Sequence, residues 1–334
     1  MEKGKRDHTS GLRNLGNTCY LNSILQCLAH SPSLMNYITD HEFDEDLHTN
    51  TPPGLFTTEF RKLMVQLWIR NGIVHPGAFK QHADTGMLQR ESFGLGAQWQ
   101  NDAHEFLEYI LDTLHNSLQY QPRISISVKS PDDQLNETDK MAIEAYQRWK
   151  GNFSDGYSSI IDLFYGQYLS EVRKGDEISR CFDPYQVMTL QIPESTTSEV
   201  TIMDCFEAFM APETIDEHTK RRFYFWKTPQ NLIVSLKRFR NDGTKDPTRI
   251  VYREILDLSK YSKGYKREKV IYSLYGICCH QGNGGQFGHY ISLCRKKGSP
   301  QWYKHDDERV EALGNGGALP MTSTAYMLFY HRME

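Results

Sequence analysis

Residues 11–31 read GLRNLGNTCYLNSILQCLAHS, and this stretch decides the fold. Glycines and asparagines mark a loop, and after Cys19 apolar residues recur at helical spacing, which predicts a helix that begins at or near the cysteine. Backbone N–H groups at a helix N-terminus favour thiolate over thiol, so this position predicts a reactive cysteine. The alternative is that Cys19 is a small buried apolar side chain, since cysteine is among the most buried residue types.

A cysteine nucleophile needs a base, and among thirteen histidines His289 stands out by its context. Residues 282–310 read GNGGQFGHYISLCRKKGSPQWYKHDDERV, which predicts a glycine-rich loop followed by a β-hairpin. If the hairpin is centred just after Lys297, then His289 and Asp306 are direct cross-strand neighbours with Cβ atoms roughly 5 Å apart. Asp307 would point to the other face of the strand. The alternative is a hydrogen-bonded pair at a strand end with no catalytic role.

The first part of the chain is predicted to be mostly helical, and the pattern changes to strands from about residue 158. Helices are predicted over 58–68, 102–118 and 141–150, with a surface loop over 121–140. The predicted strands are IIDLFYGQYLSEV, YQVMTLQIP, RRFYFW, NLIVSLKRF, REILDLS, KVIYSLYGICCH, HYISLC and AYMLFYH. Helices followed by strands indicate an α+β fold, with a helical lobe packed on an antiparallel sheet.

Composition excludes several classes of protein. The 334 residues carry a formal charge of −4, which gives no electrostatic case for binding nucleic acid or an anionic membrane. No apolar run reaches 18 residues, so no transmembrane helix is predicted, and the N-terminal MEKGKRDHTS lacks the apolar core of a signal peptide. Seven scattered cysteines argue against a disulfide framework and predict a reducing location, the cytoplasm, the nucleus or both.

Two segments resemble the ubiquitin-specific proteases. Residues 11–28 are similar to the family's cysteine box, whose pattern is close to G-L-x-N-x-G-N-T-C-Y-x-N. Residues 284–310 are similar to its histidine box. In the family this box reads G-G-x-x-x-G-H-Y and, later, W-Y-x-F followed by either two acids or an amide and an acid. Here His305 stands in place of the phenylalanine. The resemblance covers residues 11–332 and implies a papain-like cysteine protease with a helical thumb and a β-rich palm and fingers.

The resemblance also implies a role for each matching residue. Cys19 would be the nucleophile, His289 the base and Asp306 the group that orients the histidine. Asn14 would help to form the oxyanion hole. Asp307, the second acid of the motif, would be a secondary catalytic candidate that acts through the water network at the oxyanion.

Further matches imply contacts with ubiquitin. Residues 98–114, QWQNDAHEFLEYILDTL, resemble a family segment, and the match implies that Asp102 and Glu105 face arginines near the C-terminal tail of ubiquitin. The alternative is that both acids only complement the dipole at the start of a helix. The glycine-rich loop would clamp a narrow Gly-Gly tail. The candidate residues at this loop are Gly284, Gly285, Gly288 and Tyr290.

The resemblance divides the chain into a flexible lead at 1–10 and a catalytic domain at 11–334. The thumb would span about 11–150, the fingers about 160–230 and the palm about 231–334. Many family members bind a structural zinc ion in the fingers through two C-x-x-C pairs, whereas this region holds only Cys181 and Cys205. We therefore expect no metal and no cofactor, with the fingers held by strand pairing and by the aromatic side chains at 223–226.

The sequence thus predicts a thiol-dependent deubiquitinase that hydrolyses the peptide or isopeptide bond after the C-terminal glycine of ubiquitin. Its expected partners are ubiquitin and ubiquitinated proteins, with a regulatory protein partner possible. Two alternatives remain open. One is a protease for another ubiquitin-like modifier, and the other is a non-catalytic ubiquitin-binding module.

Overall fold

Most of the helices come before the strands of the main sheet in the sequence. The computed structural model describes residues 9–90, 100–123, 125–127, 135–194, 199–240, 242–266, 268–284, 287–314 and 317–333. Within these ranges the helices are α1 (Cys19–Ala29), α2 (Pro32–Thr39), α3 (His41–Asp46), α4 (Pro52–Ile69), α5 (Gly77–Met87), α6 (Ala103–Leu118), α7 (Glu137–Asn152), α8 (Ser159–Phe164) and α9 (Ile202–Met210).

The strands are divided between a large sheet and smaller ones. In chain order they are β1 (Ser10–Leu12), β2 (Gly72–Val74), β3 (Gly166–Lys174), β4 (Glu177–Tyr185), β5 (Val187–Gln191), β6 (Glu199–Thr201), β7 (Glu213–Asp216), β8 (Thr219–Lys227), β9 (Asn231–Lys237), β10 (Arg249–Val251), β11 (Ile255–Asp257), β12 (Ile271–Gln281), β13 (His289–Arg295), β14 (Trp302–Asp306), β15 (Arg309–Ala312) and β16 (Ala325–Arg332). The eight-stranded sheet has the order β15-β14-β13-β12-β16-β9-β5, with β11 paired to β12. A second sheet has the order β4-β3-β8-β7, and β1-β2 and β6-β10 form parallel pairs.

The predicted α+β class is confirmed, and several predicted elements are confirmed with it. Helix α1 begins at Cys19, and α6 covers the predicted segment with Asp102 as its N-cap. Helix α4 begins earlier than predicted, because Thr51 caps it and Pro52 occupies its first turn. Helix α7 likewise begins inside the predicted loop at 121–140, where Asn136 and Asp139 form a capping box.

In the strand-rich part of the chain one prediction is wrong and one helix was missed. The segment IIDLF was predicted as the start of a strand, yet it forms α8, and the strand β3 begins only at Gly166. All four apolar side chains of α8 are buried, and the helix has only six residues, so its short apolar run did not distinguish a helix from a strand. Helix α9 was not predicted at all, although Thr201 and Asp204 form a capping box at its start.

Helix α1 lies in the core, against one face of the large sheet. All eleven of its residues are buried, and it packs on β12, β13 and β14 and against α4 and α6. Its polar side chains have partners, as Gln26 Nε2 donates to the Ser10 carbonyl at 2.8 Å. Cys278 and Cys279 are adjacent on β12 and are buried in cores on opposite faces of the sheet, as expected for consecutive residues of a strand.

The four-stranded sheet is held by strand pairing and by aromatic contacts. Tyr168 stacks on Tyr185 with ring centroids 4.0 Å apart, and Trp226 packs edge-on against Phe182 at 5.1 Å. The boundaries of thumb, fingers and palm stay predictions. No helix within the described ranges has the length and apolar character needed to cross a bilayer.

Candidate active site

Cys19 is the first residue of α1 and is 4% exposed. The residue before it, Thr18, is the N-cap, but its side chain does not cap the helix. Thr18 Oγ1 instead accepts the N–H of Leu15 at 2.9 Å, inside the loop. The first-turn N–H groups around Cys19 are therefore not taken up by a capping side chain, and they favour negative charge at this end of the helix.

His289, the first residue of β13, lies between Cys19 and Asp306. Its Nε2 atom is 2.7 Å from Asp306 Oδ1, and the ring is also hydrogen-bonded to Cys19. A carboxylate only accepts, so Nε2 carries the proton and Nδ1 is the nitrogen available to the thiol. The hydrogen bond to Cys19, together with that to Asp306, raises the pKa of His289 from 6.5 to about 9, although burial acts to lower it. The three side chains form one hydrogen-bonded chain.

The hairpin register that led to this pair was wrong by one residue at its centre. The ladder pairs Ser292 with His305 and Arg295 with Trp302, so the hairpin is centred just after Gly298. His289 and Asp306 are thus diagonal neighbours rather than directly opposite. They still meet, because moving the centre by one residue shifts the partner by two, which keeps every side chain on its predicted face.

Lys304 completes the surroundings of Asp306 and was not predicted. Its Nζ atom is 2.9 Å from Asp306 Oδ2. Burial raises the pKa of Asp306, but the hydrogen bonds from Lys304 and His289 outweigh it and hold the pKa below its ordinary value. The period of two in a strand places residues 304 and 306 on one face, which is a signal that could have identified this lysine.

Asn14 is held in place by Asp307. Asp307 adopts the left-handed backbone conformation with φ of 51°, and its Oδ2 accepts from Asn14 Nδ2 at 2.8 Å. Its Oδ1 accepts from Nδ2 of the buried Asn22 at 2.7 Å. Asn14 Oδ1 in turn accepts the backbone N–H of Gly16 at 2.9 Å. Asn22 was not predicted as a site residue, although it lies on α1 one turn after Cys19.

A family model described as ubiquitin carboxyl-terminal hydrolase matches residues 10–330. The chain belongs to the ubiquitin carboxyl-terminal hydrolase family. It is 31% identical over 344 residues to human ubiquitin carboxyl-terminal hydrolase 2, covering 96% of this chain and 54% of the human protein. It is 30% identical over 348 residues to Usp2 of Drosophila melanogaster, covering 98% of this chain and 35% of the fly protein. The chain thus spans about half the length of the human relative and about a third of the length of the fly relative.

Solved structures show the same fold. The chain matches a SAGA DUB module of Ubp8, Sgf11, Sus1 and Sgf73 with a TM-score of 0.73 and 24% identity, over 100% of this chain and 70% of the other. It matches a second such module, bound to monoubiquitin, with a TM-score of 0.74 and 23% identity, over 100% of this chain and 71% of the other. The α+β fold of this chain is therefore that of the Ubp8 catalytic domain.

Asp102, which the family pattern places opposite ubiquitin, is engaged inside the protein. Its side chain caps α6 by accepting the N–H of His104 at 2.7 Å. The Tyr326 hydroxyl lies 2.9 Å from both carboxylate oxygens, and the Tyr290 hydroxyl is 3.4 Å from one of them. Glu105 lies in the first turn of α6 and is exposed. Both acids therefore occupy the helix start, and their contact with ubiquitin stays a prediction.

The glycine-rich loop is tied to the start of α6. The N–H of Gly288 donates to Gln100 Oε1 at 3.1 Å, a contact that the sequence did not predict. A Cβ atom at Gly288 would lie 2.1 Å from His280 Nε2, so only glycine fits this close approach. Gly284 forms an isolated bridge with Thr244, whereas Gly285 lies outside the described residues.

The fingers do not fit the zinc site of many relatives. Cys205 lies on the buried face of α9, while Cys181 lies on β4 and donates to Asp183 Oδ1 at 3.4 Å. Within the part of the chain that the structure describes, neither cysteine belongs to a group of three possible metal ligands. The residues present here would not hold the ion.

Proposed function

We propose that this chain is a deubiquitinase that hydrolyses the peptide or isopeptide bond after the C-terminal glycine of ubiquitin. The observation that carries the proposal is the 2.7 Å hydrogen bond between His289 and Asp306, with the imidazole interacting with Cys19 at the start of a helix whose first N–H groups are not capped by a side chain. Nucleophile, base and orienting carboxylate are the three parts that thiol hydrolysis needs.

The reaction begins at the sulfur of Cys19. With its raised pKa, His289 holds the proton of the Cys19 thiol, and the thiolate forms a bond to the carbonyl carbon of the terminal glycine. The negative charge moves to the carbonyl oxygen, where the N–H of Cys19 and an amide N–H of Asn14 stabilise it. Asn14 has a second N–H for this purpose, since its nitrogen carries two and one is on Asp307.

The proton on His289 then goes to the leaving amine as the carbon–nitrogen bond breaks. A thioester between Cys19 and ubiquitin remains. Water, deprotonated by His289, attacks the thioester and releases the carboxylate of ubiquitin and the thiol. Asp306 keeps the imidazole in the required tautomer throughout, and Lys304 keeps Asp306 ionised.

The comparisons support ubiquitin as the substrate. The human relative is named ubiquitin carboxyl-terminal hydrolase 2, and one structural neighbour was solved with monoubiquitin bound. We further propose that Asp102, Glu105 and the glycine-rich loop receive the tail of ubiquitin. A cytoplasmic or nuclear location is part of the proposal, supported by seven cysteines that are all free thiols.

Reaction with ubiquitin that carries a C-terminal electrophile tests the proposal. We expect one covalent adduct by intact mass on the wild type and on Cys181→Ala, and none on Cys19→Ala. Cys19→Ala should still bind ubiquitin while its turnover falls at least about a thousandfold. An adduct on Cys19→Ala would refute the nucleophile. Reaction only with a probe built on another ubiquitin-like modifier would refute the substrate, and ubiquitin binding without an adduct would indicate a non-catalytic module.

A further inference from the structure

Three side chains that can bind metal meet in the core beneath the C-terminal end of α1. They are His30 at the end of the helix, Cys294 on β13 and His305 on β14, and all three are buried. One ligand atom from each lies within 4.8 Å of the others. The rings of His30 and His305 pack edge-on with centroids 5.2 Å apart.

A fourth possible ligand lies beside them. The thiol of Cys27 interacts with that of Cys294, but its sulfur is not within 4.8 Å of all three of the other ligand atoms. Cys27 precedes His30 by three residues on α1, and residues at this spacing share a helix face. Two imidazoles and one thiol therefore converge from one helix and two neighbouring strands, and the Cys27 side chain would have to move to join them.

These donors match zinc better than they match an ordinary core. A Cys₂His₂ set is a common ligand set of structural Zn²⁺. Zinc ligands at tetrahedral angles lie roughly 3.3–3.8 Å apart, so the ligand atoms of His30, Cys294 and His305, which lie within 4.8 Å of one another, need only a small closure around an ion, while Cys27 must move further.

The surroundings of His30 favour a metal-bound nitrogen. His30 Nδ1 lies 2.8 Å from the carbonyl oxygen of Gln26. A carbonyl only accepts, so Nδ1 carries the proton and Nε2 carries the lone pair. Metal-binding histidines commonly donate their second nitrogen to a backbone carbonyl in this way, which fixes both the tautomer and the orientation of the ring.

We propose that His30, Cys294 and His305, with Cys27 as the fourth ligand, form a structural zinc site. The proposal departs from the expectation of no metal, which rested mainly on the missing cysteine pairs of the fingers. The site is separate from the catalytic cysteine, since Cys19 is eleven residues earlier on α1, about 16 Å along the helix axis. Four protein ligands leave no open position, so the ion would serve the fold and not the hydrolysis.

The site would join the three elements that carry the catalytic residues. Helix α1 begins with Cys19, β13 begins with His289, and β14 ends with Asp306. His305 directly precedes Asp306 and faces the opposite side of the strand, toward α1. Bound zinc would thus fix the relative positions of the helix and both strands from behind the site.

Metal analysis of the untagged full chain, purified with reductant and without chelator, tests the proposal. We expect about one zinc per chain in the wild type and less than about a fifth of that in Cys294→Ser and His305→Phe. His305→Phe restores the phenylalanine of the family pattern, so the variant is expected to fold. Cys279→Ala is the matched control, because its side chain is buried on the opposite face of the same sheet and should leave the zinc content unchanged.

Substitution with Co²⁺ provides a second readout. The wild type should show a thiolate-to-cobalt charge-transfer band that weakens in Cys27→Ser and disappears in Cys294→Ser. A chelator should lower the Tm of the wild type and leave that of His305→Phe unchanged. A wild type that holds no zinc as purified and takes up neither added Zn²⁺ nor Co²⁺ would refute the site, as would zinc retained by both Cys294→Ser and His305→Phe. These readouts are independent of activity on ubiquitin.

Discussion

Asp307 and Asn14 are 293 residues apart in the chain and are joined by a 2.8 Å hydrogen bond from the amide to the carboxylate. The bond links the loop before Cys19 to the turn after β14. It is reinforced by the backbone, since the N–H of Leu12 donates to the carbonyl of Asp307 at 2.8 Å. In the proposed mechanism Asn14 stabilises the oxyanion, so Asp307 would act by positioning Asn14.

Replacing Asp307 by asparagine tests this role. Asparagine also tolerates the left-handed conformation, but it has one acceptor oxygen where Asp307 serves both Asn14 and Asn22. We expect kcat to fall by about ten- to a hundredfold with little change in KM, because a misplaced oxyanion donor acts on the transition state. Steady-state kinetics on a fluorogenic ubiquitin conjugate measure both constants.

The matched control is the neighbouring Glu308→Gln. It removes an ion pair between Glu308 and Arg13, whose side chains are 43% and 53% exposed. Ion pairs this exposed contribute little to the free energy of unfolding. Activity should change less than about twofold. An equal loss of kcat in both variants would mean that kcat depends on negative charge near the loop and not on the position of Asn14.

Gly11 allows the loop and the turn to approach each other. A Cβ atom there would lie 2.3 Å from the carbonyl oxygen of Glu308, a contact with backbone that no rotamer change relieves. We expect Gly11→Ala to lower the free energy of unfolding by about 1–3 kcal/mol and to reduce activity, because β1 must move away from the turn. Urea unfolding measures the change.

Gly314→Ala serves as the control for that substitution, since nothing lies within 4 Å of a Cβ atom at Gly314. Its effect should stay within about 0.5 kcal/mol. If Gly11→Ala were as stable and active as Gly314→Ala, the close approach to Glu308 would not exist in solution.

The raised pKa of His289 predicts a pH dependence. With a pKa of about 9 in the folded protein against an ordinary 6.5, the imidazole holds a proton in the native state that the unfolded state releases. Stability from this group is therefore fully present below pH 6.5 and is lost as the pH rises through about 9. The proposed proton donation to the leaving amine fails over the same limb, so kcat/KM should decline above about pH 9.

Nuclear magnetic resonance titration of the His289 ring checks the cause. The hydrogen bond to Cys19 raises the pKa more than that to Asp306, so Cys19→Ala should lower it further than Asp306→Asn. Cys181→Ala should leave it unchanged. A value that stays near 9 in Cys19→Ala would contradict the thiol–imidazole contact.

Tyr326 anchors Asp102, and its loss should be measurable. Tyr326→Phe removes a hydroxyl 2.9 Å from both oxygens of a half-buried carboxylate, which should lower the free energy of unfolding by about 1–2 kcal/mol. If Asp102 also meets ubiquitin, its altered position should raise KM. Tyr330→Phe is the comparison, because that hydroxyl makes only a 3.4 Å contact with the Arg253 carbonyl. A smaller stability loss in Tyr326→Phe than in Tyr330→Phe would contradict the anchor.

Predictions from sequence succeeded where the local pattern was sufficient. The apolar period and Asp102 at the start predicted α6, and the apolar period after the loop located the start of α1. They failed where the apolar run was too short. The segment that forms α8 has only six residues, so helix and strand could not be distinguished there.

The sequence predicted only part of the candidate site. His289 and Asp306 were paired from an assumed turn, and the pair survived a wrong register because the error moved the partner by an even number of residues. Lys304 was missed although it shares a strand face with Asp306, whereas the contact of Gln100 depends on how the loop and the helix pack. The partner of Asp307 could not be read from spacing in the chain.

The sequence alone predicted the candidate nucleophile, its helix, the fold class and the residues that could serve as base and orienting acid. These follow from short-range periodicity, helix-start chemistry and a motif resemblance. Only the tertiary structure decided that Asp307 holds Asn14, that Asp102 is bound by Tyr326, and that His30, Cys294 and His305 converge. The cause is distance along the chain, because these contacts form only when α1 packs on the large sheet, α6 packs on α1, and residues from both ends of the sequence come together.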